Sequence, residues 1–511
     1  MFNEREQLIL NGHFTQYFDS VVQVYLGKTL LINDSALYGL YALFLKPIFH
    51  LIGLNVFKFT LVMGILKGTA FYCMLLLLRS TTKKRWIAFT GFTSIVYFII
   101  FRDPLYLLAN DPYFQYIPHR LFFPAVFILL FWTYLCEKKK NRRKALYLFT
   151  SLFCALSVLW NPDTGLVVLA TWLICLVYTE LLLIKKLKIS EVFINIIKHC
   201  GIVSIAIGLT FMGFSLITYS SSGTWPNVLD LLTYPRLFYE DGIFLLPIKQ
   251  IIHPWNLFVI IYVTGVFIGV RNLLESAHLV TPPTTLREGE KETNTLILAI
   301  SILGIGLFYY YVGRSTDTNL IGPSWPVFLL LTIFTDRLYT DLIKVSNGRS
   351  KIDAIKIYLQ SPHIYYKLIL FIMSTIFITS SILSITINLP IYWELISARK
   401  SGITNGMPNA LNHKIDFITN NSRQGDPVLI LSNLAPVLYL YSNNPRPVPV
   451  PDFIEIFLQK DMEIIANFLK TPPMNAKIFW DPTFHMFEPD QFQNSIKLCA
   501  ASHGLLLYCK K

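Results

Sequence analysis

The sequence predicts a polytopic α-helical membrane protein of about ten spanning helices, followed by a small C-terminal extracytoplasmic α/β domain. Three observations predict it. Of the 511 residues, 15% are charged and 53% hydrophobic, whereas soluble domains carry about 25% charged residues. The apolar residues come in continuous runs near bilayer-crossing length, not in the alternation a membrane barrel needs. The basic residues gather in short loops between those runs, as cytoplasmic loops do. The net charge of +13 is therefore a topology signal and not a nucleic-acid footprint.

The expected spans fall at about 55–78, 86–101, 121–136, 145–160, 163–184, 202–220, 255–270, 295–313, 320–335 and 368–389. The basic segments "STTKKR" (80–85), "EKKKNRRK" (137–144), "KKLK" (185–188), 271–291 and 337–367 are expected on the cytoplasmic side. Loops 102–120, 161–162, 221–254 and 314–319 then face outward, as does the tail from about 390. The segment 36–55 is apolar but interrupted by Gly39, Lys46, Pro47 and His50. Lys and Pro in mid-span are costly, so it is expected to lie in the membrane interface. This divides the chain into an outer loop with an interfacial helix (1–54), a transmembrane domain (55–389) and a soluble domain (390–511) in a multi-pass protein of the inner (plasma) membrane.

In the tail, "DPVLILSN" (426–433), "AKIFWD" (476–481) and "GLLLYCK" (504–510) read as short strands, and 452–470 as an amphipathic helix. Cys499 and Cys509 flank an expected helix-to-strand turn and can pair if their Cα atoms lie within about 7 Å. Cys73, Cys136, Cys154, Cys175 and Cys200 lie in or beside apolar runs without metal-ligand spacing and read as packing residues.

The outward loops collect the unusual polar side chains. They are His13, Asp19, Lys28, Asp34 and Tyr38 in the first segment, and Asp103, Asp111, Tyr113, His119 and Arg120 in "RDPLYLLANDPYFQYIPHR". "WNPDTG" brings Asp163, "TYPRLFYEDG" brings Arg236, Glu240 and Asp241, and "YYYVGRSTDTNLIGPSW" brings Arg314, Asp317, Asn319 and Trp325. Each has a plain structural reading. "NPDTG" is turn chemistry in which Asp163 can cap the next helix; Arg120 and Arg314 at helix ends can anchor on headgroups. Together they place acids, arginines and histidines from five loops on one face. No nucleotide-binding GxxxxGK[ST], HExxH, CxxC or GxSxG motif is present. Carboxylates with arginines suit sugar transfer from a phosphate-linked donor: a carboxylate takes the acceptor proton and Arg holds the leaving phosphate. A divalent metal (Mg or Mn) fits a site where Asp111 and a second carboxylate meet that phosphate.

The elements "VVQVYLGKTLLINDSALYG", "NDPYFQYIPHRLFFP", "WNPDTG" and "YYVGRSTDTN…SWP", followed by a soluble outer domain, resemble the GT-C superfamily of polytopic glycosyltransferases. The resemblance implies transfer of a hexose or pentose from a polyprenyl-phosphate sugar to a glycan, lipid or protein acceptor on the extracytoplasmic side. It assigns catalysis to Asp19, Asp34 and Asp111, the donor phosphate to Arg120 and Arg314, and substrate contacts to His13, Tyr113, His119, Asp163, Asn319 and Trp325. Members of that superfamily place a spanning helix before the first outer loop; this chain begins inside what resembles that loop, so the expected first helix is missing. A lipid-linked glycan polymerase or ligase of another fold, or a transporter or flippase, are the alternative readings.

Overall fold

The computed structural model describes residues 14–101, 113–183, 189–242, 245–248, 253–277, 289–315, 317–345, 409–453, 456 and 458–511, with single positions between 368 and 386. A short buried helix, α1 (Thr15–Tyr25), leads through a loop to α2 (Tyr41–Ile52). The membrane bundle follows: α3 (Val56–Thr81), α4 (Arg85–Phe101), α5 (Tyr113–Cys136), α6 (Lys140–Trp160), α7 (Pro162–Leu181), α8 (Ile189–Ser222), α10 (Pro254–Ser276), α11 (Glu290–Gly313) and α12 (Ile321–Val345). Between α8 and α10 lies a short helix, α9 (Thr233–Tyr239). Among the described residues, seven helices are long and apolar enough to cross a membrane. The chain is thus a polytopic membrane protein. The shorter α4, of 17 residues, and α12 pack against each other within the same bundle. The expected run at 368–389 lies mostly outside the described residues.

Physical chemistry explains the bundle. Its outer faces are apolar: on α8, Ile205, Leu209 and Ile217 are each more than half exposed. A contiguous apolar band of that kind is stable against lipid tails and not against water. The inner contacts include close approaches that need glycine. At Gly165, a Cβ would meet the backbone oxygen of Ser157 at 2.2 Å, so α6 and α7 close into a tight hairpin. At the basic end of the bundle, Asp336 of α12 accepts hydrogen bonds from the backbone N–H groups of Lys83 and Lys84, each at 2.9 Å, pinning the α3–α4 turn.

The segment expected at the interface is the 12-residue helix α2, too short to span, with Pro47 inside it. One face is buried (Tyr41, Leu45, Phe49) while Leu51 is 86% exposed. That two-sidedness suits a helix lying along the membrane surface.

The C-terminal domain comprises α13 (Asn409–Asn421), β1 (Val428–Leu431), α14 (Ala435–Ser442), α15 (Gln459–Lys470), β2 (Lys477–Trp480), β3 (Ile496–Ser502) and β4 (Leu505–Lys510). The sheet order is β1-β2-β4-β3, with β1 and β2 parallel and the other pairs antiparallel. All four residues of β1 are buried, as expected for a strand covered on both faces. The three expected strands are found. The fourth, β3, alternates poorly because it is an edge strand with an exposed face and a register break between Leu498 and Ala500. Cys499 sits in that break and is disulfide-bonded to Cys509, with Cα atoms 6.0 Å apart. The sequence expected a helix before the Cys499 turn; the segment is instead one arm of a hairpin. Of the other cysteines, Cys73, Cys154 and Cys175 are buried, whereas Cys136 and Cys200 are exposed and do not pack inward.

Candidate functional site

A cavity of about 310 Å³ lies at one end of the bundle, where the ends of several helices meet. Ile99 at the end of α4, Arg120 in α5, Asp163 in α7, Tyr309 and Tyr310 in α11, Asn319 in the 3-10 turn just before α12 and Trp325 in its first turns all line it. Pro235 and Tyr239 of α9 complete one wall. The lining is mostly apolar and aromatic, with few polar groups. That composition suits an amphiphilic ligand with one charged group.

Local sequence explains why Asp163 is available. The "NPDTG" turn uses Asn161, not Asp163, as the cap of α7: its side-chain oxygen accepts from the Thr164 N–H at 3.0 Å and from the Thr164 hydroxyl at 2.9 Å. Pro162 occupies the first helical turn, where its missing N–H costs nothing. The capping role expected for Asp163 is thus corrected. Its carboxylate instead meets the Arg120 guanidinium at 3.3 Å. Arg120 also stacks on the Tyr310 ring, 4.2 Å from its centroid. Burial, with Asp163 adding to it, pushes the Tyr239 phenol well above its usual range, so it stays a neutral hydrogen-bonding group on the wall.

Arg314 approaches the same region from the end of α11. Its guanidinium lies 3.9 Å from the centroid of the Phe238 ring. Its backbone carbonyl accepts from Asn319 at 2.7 Å. Arg314 is beside the cavity rather than on its described lining.

His119 is fully buried. Tyr41 at 4.4 Å, Tyr17 at 5.3 Å and Trp160 at 5.8 Å, centroid to centroid, surround its ring. It does not line the cavity. Gly39 lets the early loop come this close: it has φ +98°, and a Cβ there would meet the Trp160 carbonyl oxygen at 2.5 Å.

The early acids expected to open onto the cavity do not line it. Asp19 and Asp34 are 2% and 4% exposed. Both are gripped by Arg446 of the C-terminal domain. Its Nη1 donates to Asp19 at 2.9 Å and its Nη2 to Asp34 at 2.8 Å. The Arg446 backbone N–H donates to Gln23 at 2.9 Å. The physical reason is charge balance: two carboxylates removed from water need a cation, and the tail supplies it. Sequence reasoning missed Arg446. The available signal was a lone Arg between prolines in "NNPRPVPVP", where a rigid extended segment carries one charge.

Asp452 adds a third buried carboxylate near Asp19 and Thr15. Burial pushes Asp34 up to about 7, against the pull of Arg446. Burial, helped by Asp19, also pushes Asp452 up to about 7. Asp19 is raised for the same first cause. Lys28, itself lowered by burial, Asp461, Tyr234 and Tyr439 also face the cluster. The sign follows: carboxylates with raised folded-state values stabilise most below about pH 4, and that contribution fades as pH climbs through about 7. Thermal unfolding between about pH 5 and pH 8 should show this decline, and Asp452→Asn should flatten it by raising the midpoint at the alkaline end. Parallel curves for the two proteins would contradict it.

Among the remaining expected site residues, His13 and Asp111 lie outside the described residues, and Tyr113 is described only as the first residue of α5. Arg236, Glu240 and Asp241 point to solvent, while their neighbours Tyr234 and Tyr239 turn inward. Among the described residues no group of three His, Cys, Asp or Glu side chains is placed to hold a metal ion. The expected metal ligand, Asp111, lies outside the described residues, and Asp163 alone, already paired with Arg120, does not make a divalent-metal site.

No protein-family model matches the sequence, and no curated protein is similar to it. Among solved structures, ArnT from Cupriavidus metallidurans in the apo state is similar, with a TM-score of 0.51 over 97% of this chain and 92% of that one, at 11% sequence identity. The likeness is one of fold.

Proposed function

We propose that this chain is a glycosyltransferase that moves a sugar from a polyprenyl-phosphate donor to an acceptor on the extracytoplasmic face. The observation that carries this reading is the Arg120–Asp163 pair inside an otherwise apolar, aromatic cavity at the ends of membrane helices. The fold supports it: this chain shares its fold with ArnT over 97% of its length. The Lys and Arg asymmetry of the loops supports the side, and the disulfide supports an oxidising compartment for the C-terminal domain.

In this reading Arg120 donates two hydrogen bonds to the donor phosphate, as a guanidinium fork does. Arg314 adds positive charge from the adjacent wall. The apolar lining takes the first isoprene units, while Tyr239, Tyr310 and Trp325 offer flat faces to the sugar. As the phosphate engages Arg120, Asp163 becomes available to accept a proton. The acceptor hydroxyl oxygen attacks the anomeric carbon, its proton passes to a carboxylate, and the bond from that carbon to the phosphate oxygen breaks. Asp163 is the carboxylate that the described lining offers; Asp111 remains a candidate for the same role. A negative leaving phosphate held by a fixed cation in a water-poor cavity is where electrostatic stabilisation is largest.

The test uses membranes containing the chain, supplied with a panel of polyprenyl-phosphate pentoses and hexoses. The expected result is release of free polyprenyl phosphate from at least one donor, above membranes lacking the chain. Release no greater than in membranes lacking the chain, for every donor, would refute the reading.

A further inference from the structure

The cavity wall formed by α9 is tied to the C-terminal domain. The sequence "TYPRLFY" (233–239) makes α9 two-faced. Tyr234 and Leu237 are buried in the same hydrophobic cluster as the core of the C-terminal domain. Pro235 and Tyr239, one turn apart, line the cavity. Phe238 carries the Arg314 guanidinium, and the Tyr239 ring stacks on Tyr309 at 5.5 Å. Polar contacts hold the outer face: the Tyr234 hydroxyl donates to Asp461 of α15 at 3.2 Å, in buried surroundings, and also hydrogen-bonds with the Ser35 side chain. A helix of seven residues has little stability of its own. Its position is therefore set by what holds its two faces.

We infer that Tyr234 and Asp461 are positioning residues through which the C-terminal domain holds one wall of the cavity against Tyr309 and Arg314. This rests on the cavity being the functional site proposed above. It goes further by making the soluble domain part of that site rather than an appendage. Releasing the Tyr234 hydrogen bond loosens α9 as a unit, so Tyr239 and Phe238 leave their partners without any change in the residues they touch. A hydrogen bond to a carboxylate should shift the closed fraction of such a wall by about tenfold or more.

The test reads the cavity itself. Val167 lines it, and Val167→Cys supplies a thiol whose reaction with a small water-soluble thiol reagent can be followed by mass spectrometry of the residue-167 peptide. The expected result is a rate about tenfold higher in Tyr234→Phe and in Asp461→Ala than in the Val167→Cys background. Asp461→Asn, whose amide oxygen still accepts from Tyr234, should return the rate toward background. Thermal midpoints accompany each rate, because a merely structural contact would lower the midpoint without exposing position 167 below it. Unchanged rates in Tyr234→Phe, or equal rates in Asp461→Ala and Asp461→Asn, would overturn the inference. The rate is read without any ligand, so failure here falls on the wall alone, while the donor reading is decided separately by polyprenyl phosphate release.

Discussion

Arg446→Met should undock the C-terminal domain from the membrane bundle. The substitution keeps much of the side-chain volume but leaves Asp19 and Asp34, both nearly inaccessible to water, without the guanidinium that bonds them at 2.9 and 2.8 Å. Removing one partner from a buried ion pair costs about 3–5 kcal/mol. Here one removal strands two carboxylates, with Asp452 as a third close by. The loss should appear as a lower unfolding midpoint in detergent and as faster proteolysis of the C-terminal domain, with the bundle intact. Neutralising the stranded acids in the same protein, by Asp19→Asn and Asp34→Asn, should recover much of the loss, since an uncharged buried group is far cheaper than an unpaired charge. A midpoint unchanged in Arg446→Met would mean that the cluster contributes nothing.

The second large effect concerns Arg120 and Asp163. Arg120→Lys should reduce transfer by about two orders of magnitude, because an ammonium cannot make the paired bonds of a guanidinium and does not stack as well on Tyr310. Asp163→Asn should cost about 10²–10⁴-fold if that carboxylate takes the acceptor proton. The two should differ in how they fail: Arg120→Lys weakens donor binding, while Asp163→Asn leaves donor binding near normal and slows the chemical step. Both variants should insert in the membrane and unfold near the wild-type midpoint. Retained transfer in both would leave Arg120 and Asp163 as a structural ion pair with no part in the chemistry.

Much of this architecture was legible in the sequence because a bilayer imposes a strong and local rule. Apolar runs and basic loops mark the spans directly, and Gly39, Lys46 and Pro47 mark α2 as something else. The strand β1 was legible because a fully buried strand is a continuous apolar run; β3 was not, because an exposed edge strand with a register break carries no such pattern. For the site, the membrane rule placed Arg120, Asp163, Asn319 and Trp325 at one end of the bundle, and the fold brings these four onto one cavity. Two things were out of reach. The turn "NPDTG" contains two residues able to cap, and the backbone geometry that gives the role to Asn161 depends on Thr164 being placed to donate twice. The partner of Asp19 lies more than four hundred residues away, at Arg446. Nothing local in either segment announces that pairing, so acids that sequence logic reads as reactive are instead bound in a buried ionic joint.

Whether the Arg120 cavity takes a polyprenyl phosphate can be read with a photo-crosslinkable short polyprenyl phosphate added to the detergent-solubilised protein. Crosslinks should map to cavity residues such as Val167, Tyr309 and Trp325, unlabelled farnesyl phosphate but not farnesol should compete them away, and Arg120→Ala should abolish them. Crosslinks spread over the lipid-facing side of α8, with the same yield in Arg120→Ala and no competition by farnesyl phosphate, would contradict binding in that cavity.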